Sequence, residues 1–281
     1  MARYSKILVA VDGSEPSLHA LKESLKLSKE NIIAVSVAPR YEGDLSIAGG
    51  QNLSALLSEP CERALGQAQE LAETEGAQIS TACMVGEPYE EIVDLAESEK
   101  VDLIVMGRSG HSFLARALIG SQARRVIGYS PVDVLVVPPN ASIGWQKILL
   151  PTDGSKYSQK AAARALDLAK SYGGELTVLS VFDLCSKVSA SVPQVSPELL
   201  SPIQAYVEDF KSLAESQGIK TQGVVEQGRA EQKILDLAAN HQMDLIIMGS
   251  HGRTGLDRLL MGSVTEKVIG HATCPVLVVK L

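Results

Sequence analysis

Gly107 and Gly110, followed after nine residues by Gly120 and Ser121, make a spacing G-x2-G-x9-G-S that recurs as Gly249, Gly252, Gly262 and Ser263. Each copy follows an apolar run, 101–106 or 243–248, whose last residue is Met106 or Met248. A buried strand that feeds a glycine loop and then a helix builds a backbone cradle for phosphate. The glycines let the main chain come close, and amides at a helix start carry partial positive charge. Asp12 and Asp153 close the first strand of each half, within two matching segments, 6–14 and 147–155, which share Lys-Ile-Leu and Asp-Gly-Ser. An aspartate beside an anion site is a poor phosphate ligand unless a cation intervenes; it suits a ribose hydroxyl, a base or a shared Mg²⁺. The plainer alternative is that each aspartate caps the helix that follows.

Arg108 and Arg116 in the first loop, and Arg253 and Arg258 in the second, can meet phosphates or stand as solvated loop charges. His251 lies between the two motif glycines of the second half. Its counterpart is Ser109, with His111 two residues on, so no shared catalytic histidine is supported. A Walker G-x4-G-K-[S/T] sequence is absent, and no pairing of nucleophile and base stands out. The residues favour binding over turnover.

Such a cradle needs a parallel sheet to hold it. Short β-branched runs alternate with amphipathic stretches, which predicts a doubly wound α/β fold, and the repeat predicts two tandem copies. Strands are expected at 6–11, 31–37, 78–84, 102–106 and 132–137, then at 147–151, 175–182, 219–226, 244–248 and 276–279. Helices fill the gaps, with Ser14 and Ser155 as N-caps. Pro131 and Pro275 each precede a final strand, where a missing N–H is tolerated. The breaker-rich stretch from Pro138 to Gly144 reads as a linker, giving domains at 1–138 and 147–281 joined by 139–146. Segments 40–58 and 184–202 read as mobile surface loops. If strands one and four of each half are neighbours, Asp12 faces Gly107 and Asp153 faces Gly249 across one crevice.

The 281 residues suffice for two domains with their own cores. A net charge of −7 argues against a nucleic-acid partner, and 4% aromatic residues argue against stacking on single strands. No apolar stretch approaches ~20 residues and the N-terminus lacks the features of a signal peptide, so a soluble cytoplasmic protein with no membrane partner is expected. Cys61, Cys83, Cys185 and Cys274 form no C-x-x-C pair and are expected as reduced thiols.

The ordered set Pro151-Thr152-Asp153-Gly154-Ser155, Met248-Gly249-Ser250-His251-Gly252-Arg253-Thr254-Gly255, Leu259-Leu260-Met261-Gly262-Ser263-Val264-Thr265 and Cys274-Pro275-Val276-Leu277-Val278-Val279 resembles the universal stress protein family in its tandem form. The resemblance spans essentially the whole chain. It implies a five-stranded parallel sheet of order 3-2-1-4-5 in each half, and binding of ATP, AMP or ADP, with Mg²⁺ entering through the phosphates. It further implies that Asp153 meets the ribose and that Val181 meets adenine through its backbone. Gly249, His251, Gly252, Gly262, Ser263, Val264 and Thr265 would line ribose and phosphates, beside Thr152 and Met248. The first half offers Asp12, Val37, Met106, Gly107, Ser109, Gly110, Gly120 and Ser121. It departs from the pattern at Val11, where the second half has Thr152, and at Gln122-Ala123, where the second half has Val264-Thr265. The second site is therefore the stronger expectation. The family also implies pairing of domains through 132–137 and 276–279, within one chain or between copies of a homodimer. The function expected is nucleotide binding in the cellular stress response, with an unidentified protein partner. Slow ATP hydrolysis or phosphotransfer stays open, as does an interaction scaffold with a vestigial pocket.

Overall fold

The structure is a computed structural model that describes residues 4–40, 51–110, 119–183, 197–252 and 261–281. The chain divides into two compact units, Ala2–Ile143 and a second beginning at Gly144 and ending at Leu281. In the first, β1 (Ile7–Ala10), β2 (Ile32–Ala38), β3 (Ile79–Val85), β4 (Leu103–Gly107) and β5 (Asp133–Val137) form a parallel sheet of order β3-β2-β1-β4-β5. Helices α1 (Glu15–Ser24), α2 (Gln51–Thr74), α3 (Pro88–Ser98) and α4 (Ser121–Tyr129) connect the strands. The second unit repeats the plan. Strands β6 (Lys147–Thr152), β7 (Glu175–Phe182), β8 (Thr221–Gln227), β9 (Leu245–Gly249) and β10 (Val276–Val279) take the order β8-β7-β6-β9-β10. Its helices are α5 (Lys156–Tyr172), α6 (Pro197–Ser216), α7 (Ala230–Asn240) and α8 (Ser263–His271). Each unit is thus a doubly wound domain with its strands in the order 3-2-1-4-5.

Strands near the middle of such a sheet are covered on both faces, so they read as continuous apolar runs. β4 and β9 are buried along their whole length, and so are β5 and β10 at the end of each order. β3 and β8, at one end of each order, are half exposed and correspondingly more polar. One device recurs where strand four meets strand one. The carboxylate of Asp102 accepts from the amides of Ser5 and Lys6, and that of Asp244 from the amides of Gln146 and Lys147. Charge-assisted bonds of this kind are short and strong, and these pin the entry of β4 beside β1 and of β9 beside β6.

Ser14 and Ser155 cap α1 and α5, their hydroxyls accepting from the amides of Ser17 and Ser158. The stretch read as a linker is folded onto α1. His19 Nε2 lies 2.7 Å from the carbonyl oxygen of Ala141, and the Ile143 amide donates to buried Glu23 at 2.9 Å. Helix begins at Gln51 and Pro197, inside both segments read as loops, while 41–50 and 184–196 lie outside the described residues.

The cysteine reading requires correction. Cys61 on α2 and Cys83 on β3 are joined by a disulfide, because the α2–β3 connection folds back and lays the helix on the strand it precedes. Their sequence separation of 22 carries no recognisable signal. Cys274 is free and buried, and burial pushes its thiol up to about 12. Cys185 lies outside the described residues.

Candidate functional site

β6 and β9 pair directly, through Ile148 with Leu245 and Leu149 with Ile246. Their carboxyl ends therefore deliver Asp153 and Gly249 side by side. Asp153 opens a tight turn: its Oδ1 accepts from the Ser155 amide at 3.0 Å, and Gly154 takes a left-handed φ of 76° that favours glycine. Asp153 Oδ2 lies against Gly252, and a β-carbon on Gly252 would come within 2.8 Å of it. Glycine is thus what lets the loop after β9 approach the carboxylate. The expectation that aspartate caps the helix is met only indirectly, since the N-cap is Ser155 and the aspartate braces it.

The loop after β9 closes onto α8 through a bond from the Gly262 amide to the Ser250 carbonyl at 2.9 Å. Helix α8 opens on Gly262 without a side-chain cap, which leaves its first-turn amides to be met by other acceptors. Thr265, one turn in, donates its hydroxyl to the Gly249 carbonyl at 3.0 Å and fastens helix to strand. His251 Nδ1 lies 3.1 Å from the Ser250 hydroxyl, and its ring is tilted over Tyr157 with centroids 5.1 Å apart.

These groups surround a cavity of about 300 Å³. Eleven of the second-half residues singled out from the sequence line it: Thr152 and Asp153 from the β6 end, Val181 from β7, and Met248, Gly249, His251 and Gly252 from β9 and its loop. Gly262, Ser263, Val264 and Thr265 complete that set at the start of α8. Sequence reasoning missed Pro151, Ser158, Leu179, Ala230 and Ile234. The pair Ala230 and Ile234 sits one helical turn apart on α7, a spacing that presents one face, but nothing in the sequence tied α7 to the glycine loop. Ser158 is buried, and its hydroxyl lies 3.2 Å from that of Thr152, which in turn is 3.4 Å from the Tyr206 hydroxyl.

The first half builds the same backbone. Asp12 Oδ1 accepts from the Ser14 amide at 3.0 Å and from its hydroxyl, Gly13 has φ 78°, and Asp12 Oδ2 lies against Gly110. The Gly120 amide donates to the Arg108 carbonyl at 2.9 Å, and α4 opens on Gly120 without a side-chain cap. Met106 and Gly107 end β4, Val37 lies on β2, Ser109 stands in the loop and Ser121 begins α4. Burial lowers the pKa of the Arg108 guanidinium, whose place Ser250 takes in the second half. Arg116, His111, Arg253 and Arg258 lie outside the described residues. Among the described residues no group of three metal-binding side chains converges, and no helix is long and apolar enough to cross a membrane.

Fold and site together define a class: a tandem doubly wound α/β protein with a glycine cradle at the carboxyl end of each sheet. The family model of the universal stress protein family matches residues 3–138 and again 144–280, so the chain belongs to the universal stress protein family. Over 141 residues, 48% of this chain, it is 39% identical to universal stress protein MJ0531 of Methanocaldococcus jannaschii and covers 82% of that protein. It is 27% identical to a universal stress protein of Mycolicibacterium smegmatis over 301 aligned positions, spanning 98% of this chain and 96% of the relative. A crystal structure of a universal stress protein from Archaeoglobus fulgidus shares the fold, with a TM-score of 0.72 at 23% identity and 98% of both chains covered.

Proposed function

We propose that the second-half cavity binds an adenine nucleotide, ATP being the form to test first. The observation that carries this reading is convergence: Asp153, the Gly249–Gly252 loop and the uncapped start of α8 meet around one cavity. In this assignment the phosphates lie on the amides of the loop and of Gly262 and Ser263, where the helix end favours negative charge. The ribose hydroxyls donate to Asp153. The base rests on the apolar wall of Val181, Ala230, Ile234 and Met248, with the Val181 backbone as its hydrogen-bonding edge. A volume of about 300 Å³ falls at the lower end of the range for small-molecule pockets, roughly 300–1,000 Å³. Mg²⁺ enters through the phosphates. The first half, through Asp12, Gly107, Gly110, Gly120 and Ser121, is assigned a weaker site, since it lacks the hydroxyls of Thr152 and Thr265. Family membership supports a role in the cellular stress response.

The test is calorimetric titration of ATP with Mg²⁺ into nucleotide-stripped protein and into Gly262→Asp, which sets a carboxylate in the cradle. Saturable binding by the unmodified protein, with the tighter site lost in the variant by at least about 100-fold, is expected; unpaired or like charge in such a site costs several kcal/mol. Absence of binding by the unmodified protein overturns the proposal.

A further inference from the structure

The disulfide between Cys61 and Cys83 lies in the first half alone, and its surroundings give it a consequence beyond stability. Cys61 sits on the buried face of α2, 2% exposed, in line with Ala64, Leu65 and Ala68. Cys83 is half-buried on β3, at one end of its unit's strand order. The α-carbons are 6.1 Å apart, inside the roughly 4.4–6.8 Å that the bond requires. The helix and strand are therefore spaced as the bond requires. One turn beyond Cys61, α2 meets the site. Ala64 and Gln67 stand against Gly13, where an added β-carbon would come within 3.4 Å of the Ala64 β-carbon and 3.0 Å of Gln67 Oε1. Gly13 is the pivot of the turn that holds Asp12.

The second half makes this connection differently. Val225 takes the strand position of Cys83, each paired in register with a serine of the neighbouring strand, Ser180 or Ser36. Counting back from the left-handed glycines that follow the helices, Gly76 and Gly218, Ile203 takes the place of Cys61 and Tyr206 that of Ala64. The Tyr206 hydroxyl reaches Thr152 directly, 3.4 Å away. Two apolar residues and a hydroxyl bond thus take the positions where the first half has a bond that can be opened.

We propose that Cys61 and Cys83 are a redox-modification site, a dithiol that a hydroperoxide closes to a disulfide, clamping α2 to β3 and with it the turn that carries Asp12. The half-exposed Cys83 thiolate attacks the peroxide; an S–O bond forms, the O–O bond breaks, and the departing oxygen leaves as water or alcohol after taking up a proton. Cys61 sulfur then attacks the resulting sulfenic acid; the S–S bond forms, the S–O bond breaks, and hydroxide leaves as water with the proton of Cys61. The two thiols together supply the two electrons that reduce the peroxide. Exchange with a small dithiol, which is itself oxidised, reopens the bond. Cys274 takes no part, since a thiol held up to about 12 is not ionised at neutral pH.

The inference does not rest on nucleotide binding and is tested without nucleotide. In a Cys185→Ser background, fully reduced protein is treated with hydrogen peroxide, unfolded, alkylated and mapped by mass spectrometry. Amide hydrogen exchange over residues 12–17 and 61–67 is followed in both redox states. A Cys61–Cys83 cross-linked peptide, with exchange in these segments slowed about ten-fold on oxidation, is the expected result. The variant Cys83→Val, which carries the second half's residue, is expected to show no response to peroxide. Alkylation of both cysteines after peroxide would overturn the proposal. So would a bond that forms while exchange over 12–17 stays the same, because the disulfide would then be a staple without influence on the site.

Discussion

The strand that leads to Asp12 gives way to Val11, whereas the strand that delivers Asp153 ends on Thr152, and the contrast continues around the two cradles. Thr265 fastens α8 to the Gly249 carbonyl, while α4 has Ala123 at that position. Val264 faces the second cavity, and Gln122 stands in its place in the first half. Yet the turns at Gly13 and Gly154, the loop closures at Gly120 and Gly262 and the capping serines match to within a few tenths of an ångström or a few degrees. Backbone scaffold and side-chain chemistry have thus separated. The scaffold is held by local rules that any sequence with these glycines satisfies, so its presence alone does not make two equal sites.

The sharpest test of the shared scaffold is a substitution predicted to act equally in both halves. A β-carbon on Gly249 would come 2.7 Å from the Tyr157 β-carbon and 2.8 Å from its carbonyl carbon, and one on Gly107 would come 2.8 Å from the Pro16 carbonyl oxygen. Neither backbone can retreat without moving the helix that follows strand one. Gly249→Ala and Gly107→Ala should each destabilise the half that holds it by about 2–3 kcal/mol, the cost of overpacking a closed site. Urea denaturation read separately for each half checks this, and a cost confined to one half would break the equivalence.

A smaller effect probes the divergence. Thr152→Val gives the second half the residue type of the first. It removes a buried hydroxyl that accepts from the Gly154 amide at 3.4 Å and meets Ser158 and Tyr206. ATP affinity at the second site should fall about five-fold, the worth of one hydrogen bond of about 1 kcal/mol. Unchanged affinity in calorimetric titration would mean that Thr152 lines the cavity without serving its ligand, and that Val11 does not weaken the first half.

Much of the fold could be read from the residues because buried parallel strands are continuous apolar runs. The expectation of strands at 102–106 and 244–248 compares with Leu103–Gly107 and Leu245–Gly249. The capping serines followed from local chemistry alone, whereas the expectation that Asp153 faces Gly249 also needed strands one and four of the half to be neighbours, as β6 and β9 are. What stayed hidden depends on contacts distant in sequence. The Asp102 and Asp244 braces, the Cys61–Cys83 bond, the Tyr206–Thr152 contact and the packing of Ala230 and Ile234 on the cavity join elements whose adjacency comes only from topology. The partners of residues 138–144 stayed hidden for a related reason: the stretch reads as a linker, and Glu23 and His19, which bond its backbone, lie far back in the sequence on α1.

Gln122 offers the finest distinction between the halves. Its Nε2 donates to Glu87 Oε1 at 3.3 Å, while Arg125 Nη1 donates to the same oxygen at 2.7 Å, and Gln122 Oε1 is buried with no hydrogen-bond partner among the described residues. In the second half Val264 removes that amide. The helix pair α7–α8 is joined instead by Glu231 and Lys267 at 2.9 Å, an interaction that holds the Glu231 carboxyl below its usual range. The first half keeps an equivalent tie in Glu87–Arg125, so the amide adds one long bond to an acceptor already engaged. Desolvation of an orphaned carbonyl costs about 1–3 kcal/mol and a long bond to an exposed carboxylate returns less, so Gln122→Val should stabilise the first half by up to about 1 kcal/mol. A rise in the urea midpoint at unchanged slope is the expected reading. A fall would show that the carbonyl has found water in the cradle, and that the first half has retained a polar interior the second has given up.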